Sequence, residues 1–272
     1  MSDSYYLEVA GAFDRAAASY VRDYGSNPIQ SWLDDETFAL LTSLFPAPRR
    51  LLEVGCGAGI MAARLASEGH QVVATDVSPA MVEAGKAFGS RLPAAGNRLT
   101  FVVSAAGDVA ENVTGLFDGA YSGFGPLNCE PDLALVRDGL AARLRSGAPL
   151  AVSVMNRWCA WELGLGLARM KPRDATRRLR RGWVMANMSS GPGEAPSQIP
   201  VRYYGIREFA SAFSPAFTLE RALAFPVLIP PPYAATRFPS AARKLAGSER
   251  AMRGLPGFKS LGDHFFAVLR RV

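Results

Sequence analysis

The chain has 272 residues, of which 49% are hydrophobic and 20% are charged, and its formal net charge is +6. These values are typical of a globular protein with a large core, and they exclude disordered and fibrous classes. No stretch of about 18 apolar residues is free of charged side chains, so no membrane span is expected. The first residues lack the basic segment, apolar run and cleavage site of a secretory signal, and we therefore expect a cytoplasmic protein.

The positive charge is concentrated in one segment. From Arg169 to Arg181 there are seven basic residues and one acidic residue, so this segment carries +6, the whole net charge. Such a segment could attract a phosphate, a carboxylate, a nucleic acid or an acidic carrier protein. The commoner arrangement is a solvated helix with charges on most of its faces, and this is the interpretation that we prefer.

The three cysteines, Cys56, Cys129 and Cys159, are too few and too scattered for a disulfide framework. They also lack the paired spacing of a zinc site, and no metal site is predicted. We interpret all three as reduced, unreactive thiols.

The predicted elements alternate in a way that is typical of a parallel sheet. Residues 1–45 show helical spacing of apolar side chains, and Pro46 and Pro48 end this region. Short apolar runs then alternate with helical stretches, as βαβ units require. The predicted strands are Arg50–Val54, Gln71–Thr75, Leu99–Val103, Phe117–Ser122, Ala148–Val154, Thr218–Ala224 and His264–Leu269. The predicted helices of this region are Ile60–Glu68, Pro79–Phe88, Asp132–Leu144 and Arg207–Phe213.

A glycine loop and an acidic residue give the strongest functional signal. The first predicted strand runs directly into Gly55, Gly57 and Gly59, which allow a tight turn and a close approach of backbone to a ligand. Asp76 ends the next strand, 21 residues after Gly55, where an acid that binds ribose is expected. The dinucleotide pattern G-x-G-x-x-G would need a glycine at position 60, but Ile60 is found there, so nicotinamide or flavin binding is disfavoured.

The segments E-V-G-C-G-A-G and T-D-V-S-P-A-M-V resemble the first two motifs of the class I S-adenosylmethionine-dependent methyltransferases. The resemblance extends over roughly residues 49–155. It implies an α/β, Rossmann-like, seven-stranded, mostly parallel sheet with helices on both faces, and S-adenosylmethionine as cofactor. In such a site the cofactor residues would be Glu53 near the methionine amino group, Gly55, Cys56, Gly57 and Gly59 along the methionine and ribose, Asp76 on both ribose hydroxyls, and Val77 and Met81 beside the adenine.

The third and fourth motifs of this family are matched less closely. The acid that usually follows the third strand is absent, and Ala105 and Ala106 stand in this region. Either Asp108 serves the adenine amino group from an offset position, or Ala105 and Ala106 contact the ring through their backbone. Ser122 lies at the carboxyl end of the fourth strand, where open α/β sheets bind ligands.

The resemblance also implies how the chain is organised. We expect residues 1–272 to form a single domain, because no linker divides them. Residues 1–45 would be a helical cover and residues 49–155 the cofactor-binding core. The insertions 156–200 and 225–262 are apolar and rich in proline, and we expect both to form a helical lid over a fairly apolar substrate.

Catalytic candidates follow from their place near the expected site. Methyl transfer depends largely on positioning, and a general base helps only some acceptors. The candidates are His264 at the start of the last strand, Tyr20 in the N-terminal helices, and Asn128 and Glu130 after the fourth strand. Tyr24, Trp158 and Glu162 are further candidates for the rim of the pocket.

The sequence therefore predicts an enzyme that methylates a small molecule, either a fairly apolar compound or a secondary metabolite, with an anionic or carrier-bound acceptor as one option. A nucleic-acid methyltransferase is an alternative that the basic segment suggests. This alternative is disfavoured for two reasons. The fourth strand does not end in Asn/Asp-Pro-Pro-Tyr/Phe, the motif that is typical of base-amine methyltransferases, and no nucleic-acid module is recognisable. A third option is a protein of this fold that binds the cofactor without transferring methyl groups.

Overall fold

A computed structural model describes residues 3–22, 25–188 and 197–272. Within these residues the strands are β1 (Arg50–Val54), β2 (Gln71–Asp76), β3 (Leu99–Val103), β4 (Gly119–Ser122), β5 (Pro149–Met155), β6 (Val184–Met188), β7 (Ser197–Val201), β8 (Phe217–Phe225) and β9 (His264–Arg271). The α-helices are α1 (Asp3–Arg22), α2 (Pro28–Leu44), α3 (Ile60–Ser67), α4 (Pro79–Gly89), α5 (Val109–Asn112), α6 (Leu133–Arg143), α7 (Ala160–Ala168), α8 (Pro172–Ala175), α9 (Ile206–Phe213) and α10 (Ala241–Met252).

Seven strands form one sheet in the order β3-β2-β1-β4-β5-β9-β8. The first five are parallel, whereas β9 pairs antiparallel with both β5 and β8. Strand order reverses between β1 and β4, and such a switch point opens a crevice at the carboxyl ends of the strands. The predicted fold class, with its mostly parallel seven-stranded sheet, is confirmed.

The sheet is central because its strands are apolar on both faces. One apolar cluster joins β1, β4 and β5 to α6 and α9 through side chains such as Leu52, Val136 and Phe209. A second cluster joins the opposite face to α2 and α3 through Leu41, Leu65 and Tyr121. Continuous apolar runs are expected when helices cover both faces of a parallel sheet, and this is why short runs in the sequence were sufficient to predict the strands.

Caps fix the two helices that begin beside the crevice. The Oγ atom of Ser78 accepts a hydrogen bond from the backbone N of Met81 (3.0 Å), and Pro79 follows at the first position of α4. Asn27 caps α2 in the same way, accepting from the backbone N of Ile29 and Gln30, with Pro28 next. Both caps satisfy amides that a helix start leaves unpaired.

The two predicted insertions have different structures. The first contains α7, α8 and an antiparallel hairpin of β6 and β7, which the sequence analysis did not predict. The second contains α10 and an apolar segment that packs on α2 through Phe225, Ile229 and Ala242 against Ile29 and Leu33.

The basic segment is not a solvated helix. It contains the four-residue helix α8 and a short 3-10 turn. Arg178 is buried, and its guanidinium forms an ion pair with Glu162 and another with Asp263 (2.6 Å). Arg177 also binds Glu162 (2.9 Å). Two of the seven basic side chains therefore stabilise the fold internally, which corrects our preferred interpretation of this segment.

Candidate functional site

A cavity of about 650 Å³ lies at the carboxyl ends of β1, β2 and β4. Its floor comes from the loops that follow these strands. Its other walls come from α1, the start of α2 and the hairpin β6–β7, which contributes Ala186, Asn187, Ile199 and Val201. A cavity of this size is in the range that small-molecule ligands occupy, roughly 300–1,000 Å³.

The glycine turn after β1 requires its glycines for two reasons. Gly55, Gly57 and Gly59 have φ angles of 70°, 51° and 63°, a region that favours glycine. A Cβ on Gly55 would lie 2.2 Å from Pro126 Cβ, and one on Gly59 would lie 2.3 Å from the ring of Phe101. These two glycines therefore let the β4 loop and strand β3 pack closely against the turn.

Gly57 faces the cavity instead. A Cβ at this position would have the ring of Tyr20, in α1, as its nearest neighbour at 3.8 Å. Tyr20 and Gly57 both line the cavity, so α1 covers the turn from above.

Asp76 is the acid at the end of β2. Its two carboxylate oxygens accept hydrogen bonds from the backbone N of Gly57 (2.7 Å) and of Ser78 (2.9 Å). Burial raises the pKa of Asp76, and these backbone hydrogen bonds oppose the shift. The carboxylate is 92% buried yet lines the cavity, and its remaining lone pairs could accept from a bound ligand.

A second acid, Glu53, lies on β1 at the floor of the cavity. The hydroxyl of Tyr121 donates to its Oε2 atom (3.2 Å). Burial raises the pKa of Glu53 to about 8, and the nearby charge of Asp76 adds to this effect. A cationic group in the cavity would stabilise the ionised form of this carboxyl.

A third acid, Glu130, follows β4. Its Oε1 atom accepts from the backbone N of Ala106 (3.3 Å), and its Oε2 atom accepts from the hydroxyl of Tyr6 (2.9 Å). Burial raises the pKa of Glu130 to about 7, although both hydrogen bonds lower it. Glu130, Ala106 and Tyr6 all line the cavity.

Two hydroxyl groups in the wall lack a protein partner in the described part of the chain. Ser122 Oγ and Thr37 Oγ1 are buried without a hydrogen bond, and both residues line the cavity. Asp34, one turn before Thr37 in α2, accepts from Gln30 (3.0 Å), and burial raises its pKa to about 6. Unsatisfied buried polar atoms are rare, so these hydroxyls are available to a ligand.

Comparisons with known proteins agree with this architecture. Residues 51–147 match the family model of a methyltransferase domain. The chain is 32% identical over 114 residues to a ubiquinone biosynthesis O-methyltransferase from Xanthomonas axonopodis pv. citri (strain 306), covering 42% of this chain and 46% of that protein. The chain thus spans less than half the length of this curated relative.

Two solved structures share the fold. The CcbJ methyltransferase from Streptomyces caelestis superposes with a TM-score of 0.62 at 15% identity, covering 96% of this chain and 98% of that one. A methyltransferase from Methanosarcina mazei gives a TM-score of 0.57 at 15% identity, covering 86% and 97%.

Residues 51–147 therefore resemble a methyltransferase domain, and the chain shares the fold of S-adenosylmethionine-dependent methyltransferases. S-adenosylmethionine is the cofactor that this similarity implies, and the residues present fit it. A carboxylate stands beside the glycine turn for ribose hydroxyls, a second buried carboxyl suits an ammonium group, and Ser122 offers an unpartnered hydroxyl.

Most of the predicted cofactor residues lie together. Nine of the eleven line the one cavity, and they are Glu53, Gly55, Cys56, Gly57, Asp76, Val77, Met81, Ala106 and Ser122. Gly59 and Ala105 do not. Gly59 packs against Phe101, and Ala105 is buried beside the cavity without lining it.

The catalytic candidates separate into two pairs. Tyr20 and Glu130 line the cavity. Asn128 does not, because its side chain binds the backbone of Met155 and Arg202. His264 does not line it either, since its Nδ1 atom pairs with Asp263 (2.8 Å) and its ring packs edge-on against Phe124. These hydrogen bonds engage the side chains of Asn128 and His264 within the fold, and their assignment as catalytic residues stays a prediction.

Two of the further candidates for the rim of the pocket are not found at the cavity. Glu162 is bound to Arg177 and Arg178, Trp158 is half exposed, and neither lines the cavity. Tyr24 lies outside the described residues. In residues 3–22, 25–188 and 197–272, no group of three His, Cys, Asp or Glu side chains could hold a metal ion, and no helix is long and apolar enough to cross a membrane.

The three cysteines are free. Burial raises the pKa of Cys56 well above its usual value and that of Cys129 and of Cys159 to about 12. Thiols with raised pKa values carry little thiolate and are poor nucleophiles at neutral pH.

The lid prediction needs one correction. The first insertion reaches the cavity through its hairpin, whereas no described residue of 225–262 lines it. The second insertion is instead held on α2, and Glu249 of α10 accepts from the backbone N of Val227, Leu228 and Ile229.

Sequence reasoning missed several residues of the cavity wall. Tyr6, Val9, Phe13 and Ala16 line it from α1, as does Tyr20, which the sequence had already indicated. Their spacing of three and four residues places them on one helix face, and this pattern could have identified Tyr6 from the sequence.

Proposed function

We propose that this chain transfers a methyl group from S-adenosylmethionine to a small, largely apolar acceptor held in the same cavity. The observation that carries the proposal is the mixed lining of the cavity. The glycine turn, Glu53 and Asp76 line it together with apolar side chains from α1 and the hairpin.

The polar floor would bind the cofactor. Asp76 would accept from both ribose hydroxyls, Val77 and Met81 would flank the adenine, and Glu53 would accept from the methionine ammonium group. When bound, S-adenosylmethionine supplies a methyl group on a sulfonium centre whose leaving group is already activated. Tyr20, which packs over Gly57, would close the site and exclude water from it.

The apolar walls would bind the acceptor. Phe13 of α1, Met155 after β5, and Ile199 and Val201 of β7 line the cavity, and they suit rings or alkyl groups. Asn187 adds an amide that could orient a polar group of the acceptor. Positioning an acceptor in line with an activated methyl group can supply much of the rate enhancement, so no dedicated base is required.

The test is transfer of radiolabelled methyl groups from S-adenosylmethionine into host extract, separated into metabolite, lipid, protein and nucleic-acid fractions. The proposal predicts label in the metabolite or lipid fraction, and no label with the Asp76→Asn variant. Label in RNA would instead support nucleic-acid methylation. The extract of the organism that produces the protein should also be supplied as a source of acceptors. If the chain then binds the cofactor but no fraction is labelled, the result would support a protein that does not transfer methyl groups.

Nucleic-acid methylation has less support. It rests on the basic segment, in which Arg177 and Arg178 are engaged by Glu162, and Arg178 also by Asp263. Internal ion pairs of this kind reduce the charge that the segment can offer to phosphates.

A further inference from the structure

The loop after β3 brings no carboxylate to the cavity that could accept from the adenine amino group. Ser104 lines the cavity, but its hydroxyl is engaged, since it donates to the backbone O of Ala105 and accepts from the amide of Asn112. Ala105 and Ala106 carry no polar side chain, and Asp108, the nearest acid in this loop, does not line the cavity. An adenine base has an amino group that donates hydrogen bonds, and beside it the ring nitrogen N1, which accepts one. A site that selects adenine therefore needs one acceptor and one donor side by side.

The loop after β4 supplies a carboxylate at this position. Glu130 lines the cavity, is 92% buried, and has its Oε1 atom 3.3 Å from the backbone N of Ala106. A carboxylate oxygen and a backbone N–H thus stand next to each other in the wall. Together they form the complement of the adenine edge.

The position of Glu130 and Ala106 relative to Asp76, the acid proposed to bind ribose, fits a nucleoside. The backbone N of Ser104 donates to the backbone O of Asp76 (2.8 Å), and Ala106 follows two residues later. Val77 and Met81, beside Asp76, line the same part of the site. A ribose on Asp76 would therefore direct its base along this wall, toward Ala106 and Glu130.

The carboxylate of Glu130 is also oriented by a side chain of α1. The hydroxyl of Tyr6, in α1, donates to Glu130 Oε2 (2.9 Å), which leaves Oε1 directed at Ala106. Tyr6 lines the cavity as well. The N-terminal helix therefore positions a side chain of the loop after β4.

We propose that Glu130 accepts a hydrogen bond from the exocyclic amino group of the cofactor's adenine, while the N–H of Ala106 donates to N1. The bond between Glu130 and Ala106 is exchanged for these two bonds when the base enters. Glu130 thus replaces, from a different loop, the acid that is absent after β3, and Tyr6 is its positioning residue. The inference rests on the proposed function, because it assumes S-adenosylmethionine as the ligand.

The test compares two ligands that differ only at this edge. S-adenosylhomocysteine has the adenine amino group, whereas S-inosylhomocysteine has an oxygen there and a protonated N1. We expect the wild-type chain to bind the adenosyl compound about 10- to 100-fold more tightly in calorimetric titrations, as hydrogen bonds to charged groups contribute that much. In Glu130→Gln and Glu130→Ala, this preference should fall about 10-fold or more, and what remains is the contribution of the Ala106 N–H, which still favours an unprotonated N1.

Two control variants separate base recognition from other effects. Asp76→Asn should weaken binding of both ligands and leave their ratio unchanged, because it acts on the ribose. Tyr6→Phe should lower the preference only partly, since the carboxylate remains. The ratio of the two affinities does not depend on the fraction of folded protein, so a less stable variant still gives a result.

An unchanged ratio in both Glu130 variants, alongside intact wild-type preference, would overturn the assignment of Glu130 and leave the proposed cofactor in place. Failure of the wild-type chain to bind either ligand would contradict the proposed function itself.

Discussion

Asp76 has two roles, of which only one concerns a ligand. Its oxygens accept from the backbone N of Gly57 and Ser78, so the carboxylate holds the glycine turn and the start of α4 together before any cofactor binds. The sequence pattern predicted the ligand role alone. The structural role depends on how β1 and β2 lie side by side, which a single segment of sequence does not reveal.

We expect Asp76→Ala to weaken binding of S-adenosylhomocysteine by about 10- to 100-fold and to destabilise the fold by about 1–3 kcal/mol, because buried amides lose their acceptor. Calorimetric titration and urea unfolding measure the two effects. Asp76→Asn is the control, since its amide oxygen retains one acceptor and should restore part of the stability but little of the affinity. Undiminished affinity in Asp76→Ala would contradict the placement of the ribose.

The strands and the main helices of the core could be predicted because each carries its own signal. Strands β1 and β2 each contain a short apolar run, Leu51–Leu52 and Val72–Ala74, and Ser78 with Pro79 marks the start of α4. The hairpin β6–β7 was missed because its side chains Ile199 and Val201 are buried by contact with distant residues such as Ala12 and Cys129, which the local sequence does not reveal.

Glu130 illustrates the same limit within the site. Its position beside Ala106 results from contact between the loops after β3 and β4, in which the two residues lie 24 positions apart in sequence. The sequence placed both residues near the cofactor, but the contact between them required the packing of α5 and α6 on the sheet.

Helix α7 provides a matched pair of glycines. A Cβ at Gly166 would lie 2.6 Å from the Cβ and 2.7 Å from the backbone N of Ala175 in α8, whereas one at Gly164 would meet nothing within 4 Å. We expect Gly166→Ala to destabilise the chain by about 1–3 kcal/mol because α7 and α8 must separate. Gly164→Ala should be neutral or stabilising by about 0.5–1 kcal/mol, because alanine favours a helix. Equal urea midpoints for the two variants would show that α7 does not pack on α8 in this way.

Ion pairs join parts of the chain that are far apart in sequence. Glu36 of α2 is buried and binds Arg250 and Arg253 (2.8 Å) at the end of α10, so the N-terminal helices are attached to the second insertion. Arg178 similarly attaches the first insertion to Asp263 next to β9. The elements around the core are therefore held by charged contacts as well as by apolar packing.

Glu36→Gln should destabilise the chain by about 2–4 kcal/mol, because it leaves the largely buried guanidinium of Arg253 without its charge partner. The exposed pair of Glu83 and Lys86 is the control, and Glu83→Gln should cost less than about 0.5 kcal/mol. Free energies of unfolding from denaturant titration measure both. Similar small losses in the two variants would indicate that α10 is not anchored through Glu36.

Acid should weaken the attachment at Asp263. Burial alone would raise the pKa of Asp263, but the charges of Arg178 and His264 and their hydrogen bonds outweigh it and hold the pKa well below its usual value. A carboxyl whose folded pKa is lowered stabilises the fold above its unfolded pKa, near 4, and this contribution is lost as the pH falls through the folded value. The difference in unfolding free energy between wild type and Asp263→Asn should therefore be largest at pH 6–7 and decrease below about pH 4. A difference that stays constant from pH 7 to pH 3 would exclude the charged pairing.

The crystal structure of the chain with S-adenosylhomocysteine is the measurement that tests the cofactor site most directly. We expect the ribose hydroxyls within hydrogen-bond distance of Asp76, the adenine between Met81 and the Ala106–Glu130 wall, and the homocysteine sulfur directed toward the apolar side chains of α1 and the hairpin. A nucleoside bound elsewhere, or in this cavity with its ribose away from Asp76, would contradict the account.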